Sequence, residues 1–101
     1  MKSVYLIRGN DGRYKIGIAK NPEKRIRQLQ TGNSDPLELI TSYRSENANK
    51  IEKALHRYYS YGKMIGEWFD LSIKEEAEFT KMCCRVDEAI ILSSVQVLDG
   101  Y

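Results

Sequence analysis

The chain has 101 residues, 42% hydrophobic and 30% charged, with a net charge of +2. That is enough for one domain with a modest core. No apolar run approaches the ~18 residues of a membrane span and no signal-like stretch follows Met1-Lys2, so a soluble, cytosolic protein is expected. Adjacent Cys83 and Cys84 beside a single histidine suit neither a loop-closing disulfide nor a four-ligand zinc site, and read as reduced thiols. The charge is one-sided: residues 1–30 hold eight Lys or Arg against two acids, residues 31–70 five against six, and residues 71–101 three against six. Such a distribution favours a polyanion, because neutralising phosphates releases counterions; a solvated basic face would have the same composition.

Val4-Tyr5-Leu6-Ile7 is a β-favouring run, followed by the turn formers Arg8 to Arg13 and a second strand at Tyr14, Ile16 and Ile18, which makes an antiparallel hairpin. Gly17 within that strand marks a place where another group comes close to the backbone. The period then changes to that of a helix: Asn21 is a good N-cap, Pro22 a good first residue, and Ile26 and Leu29 form an apolar stripe beside Lys24, Arg25 and Arg27. A strand that delivers a basic helix at its end is a device for meeting phosphate. Gly32 is placed for a left-handed C-cap. Leu37, Leu39, Thr41 and Tyr43 alternate with Glu38, Ile40, Ser42 and Arg44 as in a third strand with one face better buried.

From about Glu46 to Tyr59 the helical period returns, with Ser45 or Asn47 as cap and Ala48, Ile51, Leu55, Tyr58 and Tyr59 on one stripe. Residues 61–66 form a break, and Glu67 to Leu71 an aromatic insert, either a short edge strand or an irregular plug. Trp68 and Phe69 read as core rather than as a base-stacking platform, since Ile65 and Leu71 flank them. Ser72 and Glu75 make a capping box that opens a third helix. Its inner face, Ala77, Phe79, Met82, Cys83, Val86, Ala89 and Ile90, covers the sheet, and its outer face is acidic. Beyond Leu92, residues 93–98 read as a last short strand or a tail.

Val4-Tyr5, then Lys15-Ile16-Gly17, then Arg25, Glu52 to Leu55-His56 and Gly66-Glu67-Trp68-Phe69 form an ordered set. It resembles the GIY-YIG nuclease superfamily, in particular its small phage and bacterial branch with a Lys-Ile-Gly second motif. The resemblance covers residues 3–71 of a single domain spanning 1–101. It implies an α+β fold with a small three-stranded antiparallel sheet flanked by helices, which agrees with the element order read from periodicity. It also implies a metal-dependent endonuclease acting on DNA, with RNA left open. By the resemblance Tyr5, at an edge of the sheet, takes or orients the proton of water; Arg25 binds the scissile phosphate; and Glu52 holds one Mg²⁺ or Mn²⁺ near the leaving oxygen.

Lys15 stands where the superfamily has tyrosine. Strand alternation aims it, rather than Tyr14, at the site, where its charge would favour the Tyr5 phenolate or bind phosphate. His56, one helical turn after Glu52, orients Glu52, lines the phosphate groove or is a partly buried histidine satisfied by a neighbour. Gly17, Lys20, Lys24 and Arg27 complete the expected substrate-binding set. Sequence preference should be low, coming from the loops after Ile7 and Gln30, from a homodimer or from a partner protein. The alternatives are a nucleic-acid-binding module that does not cut and a phage protein-interaction domain using the acidic third helix.

Overall fold

The computed structural model describes residues 1–60, 64–65 and 67–99. The hairpin forms as expected from β1 (Lys2–Arg8) and β2 (Tyr14–Ala19), in the register Tyr5↔Gly17, Leu6↔Ile16 and Ile7↔Lys15. Its turn is closed by Gly9 N–H donating to the Arg13 carbonyl at 2.7 Å, and Gly12 adopts φ 83° there, a conformation that favours glycine. Helix α1 (Pro22–Thr31) starts at Asn21, whose Oδ1 accepts the Lys24 N–H at 3.0 Å. Gly32 ends it at φ −93°, not in the expected left-handed conformation. The Gln30 side chain makes that cap unnecessary: Nε2 donates to the Asn33 and Asp35 carbonyls and Oε1 accepts the Leu37 N–H, so the chain leaves the helix through a braced loop.

Strand β3 (Glu38–Ser45) pairs with β1. The register slips between Leu6 and Ile7, so that Thr41 and Leu39 are successive partners and Ile40 is the extra residue of a bulge. This breaks the expected strict alternation: Ile40 and Tyr43, three apart, both pack on the core. Helix α2 (Ala48–Tyr59) buries Ala48, Ile51, Leu55 and Tyr59, while Tyr58, one residue off that stripe, is exposed. Two short strands follow, β4 (Met64–Ile65) and β5 (Trp68–Phe69). Among the described residues the sheet therefore has five strands in the order β3-β1-β2-β5-β4 rather than the three expected. Accordingly β1, the strand of Tyr5, lies inside the sheet and not at its edge. The expected break falls mostly outside the described residues, which leave out 61–63 and Gly66.

Helix α3 (Ile73–Asp99) opens on the expected capping box, Glu75 N–H to Ser72 Oγ at 3.1 Å and Ser72 N–H to Glu75 Oε1 at 2.9 Å. It does not stop near Leu92; residues 93–98 are helical, neither strand nor loose tail. No Gly or Pro lies between Ser72 and Asp99 to end it, and the Ser94 hydroxyl finds its partner inside the helix, on the Ile90 carbonyl. Phe79 and Cys83 are fully buried, with Met82, Val86 and Ile90 packed beside them, whereas Ala77 and Ala89 turned out exposed. Burial pushes the Cys83 thiol up to about 12, so it behaves as a small hydrophobe.

The core joins Val4, Leu6, Tyr14 and Ile16 to the buried faces of α2 and α3. Tyr5 and Ile7 alternate with Val4 and Leu6 and are equally buried outside that cluster, on the sheet face covered by α1. Two polar clusters fasten α3. Tyr14 OH and Arg8 Nη1 both donate to Glu76 Oε1, at 2.6 and 3.1 Å. Asp87, 9% exposed, accepts from Ser45 Oγ at 3.0 Å, Asn47 Nδ2 at 2.9 Å and Tyr43 OH at 2.9 Å. The acidic side of α3 is thus not wholly its outer face.

Candidate functional site

Strand β5 reaches β2 at one position only, Tyr14↔Phe69, so from Lys15 to Ala19 the outer side of β2 has no strand partner among the described residues. The Ile16 carbonyl on that side is instead met by His56 Nε2 at 2.8 Å. A carbonyl only accepts, so Nε2 carries the proton, and α2 is tied to the sheet edge through this ring. His56 also meets Phe69 edge-on, with centroids 5.2 Å apart.

The gap at the strand edge opens into a cavity of about 450 Å³ lined by Tyr5, Lys15, Gly17, Arg25, Glu52 and His56, with Glu67 at its margin. Six of the nine residues expected at the site therefore come together, from β1, β2, α1 and α2. Lys20, Lys24 and Arg27 do not; they are exposed outside the cavity lining, where they add field rather than contact.

Gly17 is required by geometry. A Cβ there would stand 2.5 Å from Tyr5 Cζ and overlap Oη, so the phenol lies directly across the glycine backbone of the paired strand. Tyr5 is 3% exposed, and its ring is held by β1 and β2 together. Lys15 opposes Ile7, not Tyr5, and its Nζ is 2.8 Å from Glu67 Oε2 and 5.9 Å above the Trp68 ring. That pair holds the Glu67 carboxyl below its ordinary range. The expectation that Lys15 acts chiefly on Tyr5 is thus corrected: it shares the cavity with Tyr5, but its direct partner is Glu67. Tyr14 points to the opposite face, as alternation requires, and there burial and then Glu76 raise its pKa.

Arg25, exposed, and Glu52, half-buried, make no ion pair or side-chain hydrogen bond among the described residues. Glu52 does not bond His56 across one helical turn; the ring has turned to the Ile16 carbonyl. Glu67 was the lining residue missed. It stands in the Gly-Glu-Trp-Phe landmark without a role there; it is exposed and pairs with Lys15. Gly66 of that landmark lies outside the described residues.

Among the described residues no three His, Cys, Asp or Glu side chains cluster to form a metal cage. Glu52 alone offers a carboxylate to the cavity without a partner. One hard oxygen donor in an open, polar cleft suits a cation that keeps most of its water, such as Mg²⁺, and does not suit zinc.

Fold and cleft together define an α+β domain with a mixed-charge cavity at a gap in its sheet, where two cations and two carboxylates meet an ordered tyrosine. The chain belongs to the T5orf172 domain family, whose model matches residues 2–85 and so runs past Leu71 into α3. That domain is found in endonuclease-like proteins of phages and bacteria. No curated protein and no solved structure matches the chain. Among the described residues no helix is long and apolar enough to cross a membrane.

Proposed function

We propose that this domain is a GIY-YIG-type endonuclease that hydrolyses DNA phosphodiester bonds with a divalent metal ion and little sequence preference of its own. The observation that carries the reading is the single cavity that collects Tyr5, Lys15, Gly17, Arg25, Glu52 and His56 from four elements. Arg25, exposed and without an ion-pair partner among the described residues, binds the scissile phosphate and offsets the charge that develops on it. Tyr5, fixed across Gly17, receives or orients the proton of the attacking water. Glu52 would hold the metal, Mg²⁺ or Mn²⁺, which when bound would supply a Lewis acid for the leaving oxygen. His56, with Nε2 engaged by the Ile16 carbonyl, is a positioning residue that keeps α2, and hence Glu52, against the strand edge. Lys15 exchanges Glu67 for substrate phosphate. Lys20, Lys24 and Arg27 attract the polyanion over a wider surface.

The test is nicking of supercoiled plasmid with Mg²⁺ or Mn²⁺ by the wild type, Glu52→Gln and Arg25→Ala. Cleavage by the wild type and its loss in both variants is expected; equal activity in all three would sink the assignment. A module that binds DNA without cutting it is the second reading, favoured by the Lys15–Glu67 pair, which neutralises the cation that β2 brings to the cavity of Tyr5. It predicts salt-sensitive binding that yields no product with any metal.

A further inference from the structure

Lys15 and Trp68 mark the boundary between two cavities. On one side lies the cleft with Arg25 and Glu52. On the other is a smaller cavity of about 240 Å³ formed by the β1–β2 turn (Asn10, Asp11), the α1–β3 loop (Asn33, Asp35, Leu37) and Trp68. The linings share no residue, but the Lys15 ammonium stands 5.9 Å from the Trp68 ring centroid and so joins them.

The two differ in charge. The first holds Lys15 and Arg25 beside Glu52 and Glu67; the second is lined by Asp35 and by Asp11, which pairs with Arg13 at 3.5 Å, and by no Lys or Arg. A phosphate finds cations in the lining of the first and none in the lining of the second. What the second offers is an apolar plane, the indole with Leu37, rimmed by amide and carboxylate groups. That is the chemistry of a nucleobase: a π-face to stack and a polar edge, with exocyclic amino donors for carboxylate acceptors.

The burial of the aromatic pair agrees. Phe69 is fully buried, whereas Trp68, the larger ring, is only half-buried, which reverses what a pure plug would do. Gly9 leaves room for the indole, since a Cβ there would stand 3.2 Å from Trp68 Cζ3 and 3.3 Å from Asp11 Oδ1. The opposite wall is set before anything binds, because the Gln30 amide clamps Asn33, Asp35 and Leu37 through three hydrogen bonds of 2.8–3.0 Å. Little ordering cost is left to binding.

We infer that Trp68 is a stacking surface for an unpaired nucleobase neighbouring the phosphate at Lys15 and Arg25, an inference that rests on the nuclease reading of the larger cleft. The substrate strand passes from one cavity to the other across Lys15. Cytosine and adenine, which carry exocyclic amino groups, fit the acidic rim better than thymine.

Trp68 is the chain's one tryptophan, so its fluorescence reports the site without labelling. The probes are single-stranded oligo(dC), oligo(dT) and an abasic oligomer, each of about eight nucleotides, added at low salt in EDTA so that nothing is cut. Saturable quenching is expected with the base-bearing oligomers, at lower concentration for oligo(dC). The abasic oligomer, followed by the anisotropy of an end label, should bind without quenching. Trp68→Ala should weaken oligo(dC) about ten-fold and the abasic oligomer less than two-fold. Binding without quenching, or an equal loss for both oligomers, would overturn the inference. So would plasmid cleavage by a wild type that binds no single strand, in which case the nuclease reading stands. Failure to bind or cut any DNA overturns both.

Discussion

Glu52 and Asp87 are carboxylates on neighbouring helices of one small core, and the fold uses them in opposite ways. Asp87 is nearly buried and accepts hydrogen bonds from Tyr43, Ser45 and Asn47, so that β3, the start of α2 and α3 meet at one group. Glu52 sits in an open cleft with no such partner among the described residues. A buried carboxylate with its lone pairs filled is a fastener; one left open beside Arg25 and Lys15 is available to a ligand. The same contrast separates the arginines, Arg8 being clamped by Glu38 and Glu76 while Arg25 is not.

If the contrast is right, activity and stability should come apart. Glu52→Gln and Arg25→Ala should each lower plasmid cleavage by on the order of 10²-fold or more, while the thermal midpoint stays nearly unchanged. Parallel loss of both properties would erase the distinction. Gly17→Ala affects both sides at once, since the added methyl collides with the Tyr5 phenol: about 1–3 kcal/mol of stability and most of the activity should go, as measured by urea unfolding and nicking of one preparation. Asp87→Ala should leave one buried donor, Ser45 Oγ, and two half-buried ones, on Tyr43 and Asn47, without this partner, and cost about 1–3 kcal/mol, read as a fall in the thermal midpoint, with nicking retained below that midpoint.

Acid should act through Asp87 in the same direction. Burial alone would raise its pKa, but the hydrogen bonds from Asn47, Tyr43 and Ser45 hold it below the ordinary 3.8. A carboxyl depressed in the folded state contributes stability that is fully present above 3.8 and fades as pH falls through the lower folded value. Urea midpoints measured from neutral pH down to about pH 2 should show this loss in the wild type and a shallower decline in Asp87→Asn. The smallest effect belongs to the outlying cations: Lys20→Ala, Lys24→Ala or Arg27→Ala should each reduce the salt slope of DNA binding by about one, with little change in folding.

Much of this was legible in the chain because period and caps are local. Asn21-Pro22 and the Ser72–Glu75 box start their helices where the sequence places them, and the ordered landmarks from Tyr5 to Glu52 meet in one cleft. The parts that were not legible depend on contacts between distant segments. The bulge at Ile40 follows from pairing with β1, and β5 extends the sheet only because Phe69 is seated beside Tyr14. Asp87 could have been noticed, as it lies four and eight residues after Cys83 and Phe79 and so on the buried stripe of α3. Its three donors, spread over residues 43–47, could not. Flanking Ile65 and Leu71 suggest burial of Trp68 and Phe69 alike, but neighbours on a strand face opposite ways, and only Phe69 is fully buried while Trp68 is half-buried.

The incomplete pairing of β2 has a consequence for the solubility of the protein. Where β5 ends, a stretch of β2 has no strand partner among the described residues, so its backbone groups could pair with another chain's strand, a recognised route to aggregation. His56 occupies the Ile16 carbonyl there, and the Lys15–Glu67 ion pair sets charge along the same margin. The residues that shape the cleft thus also keep foreign strands out of it. Replacing His56 by an apolar residue would expose a sticky edge as well as disturb the site.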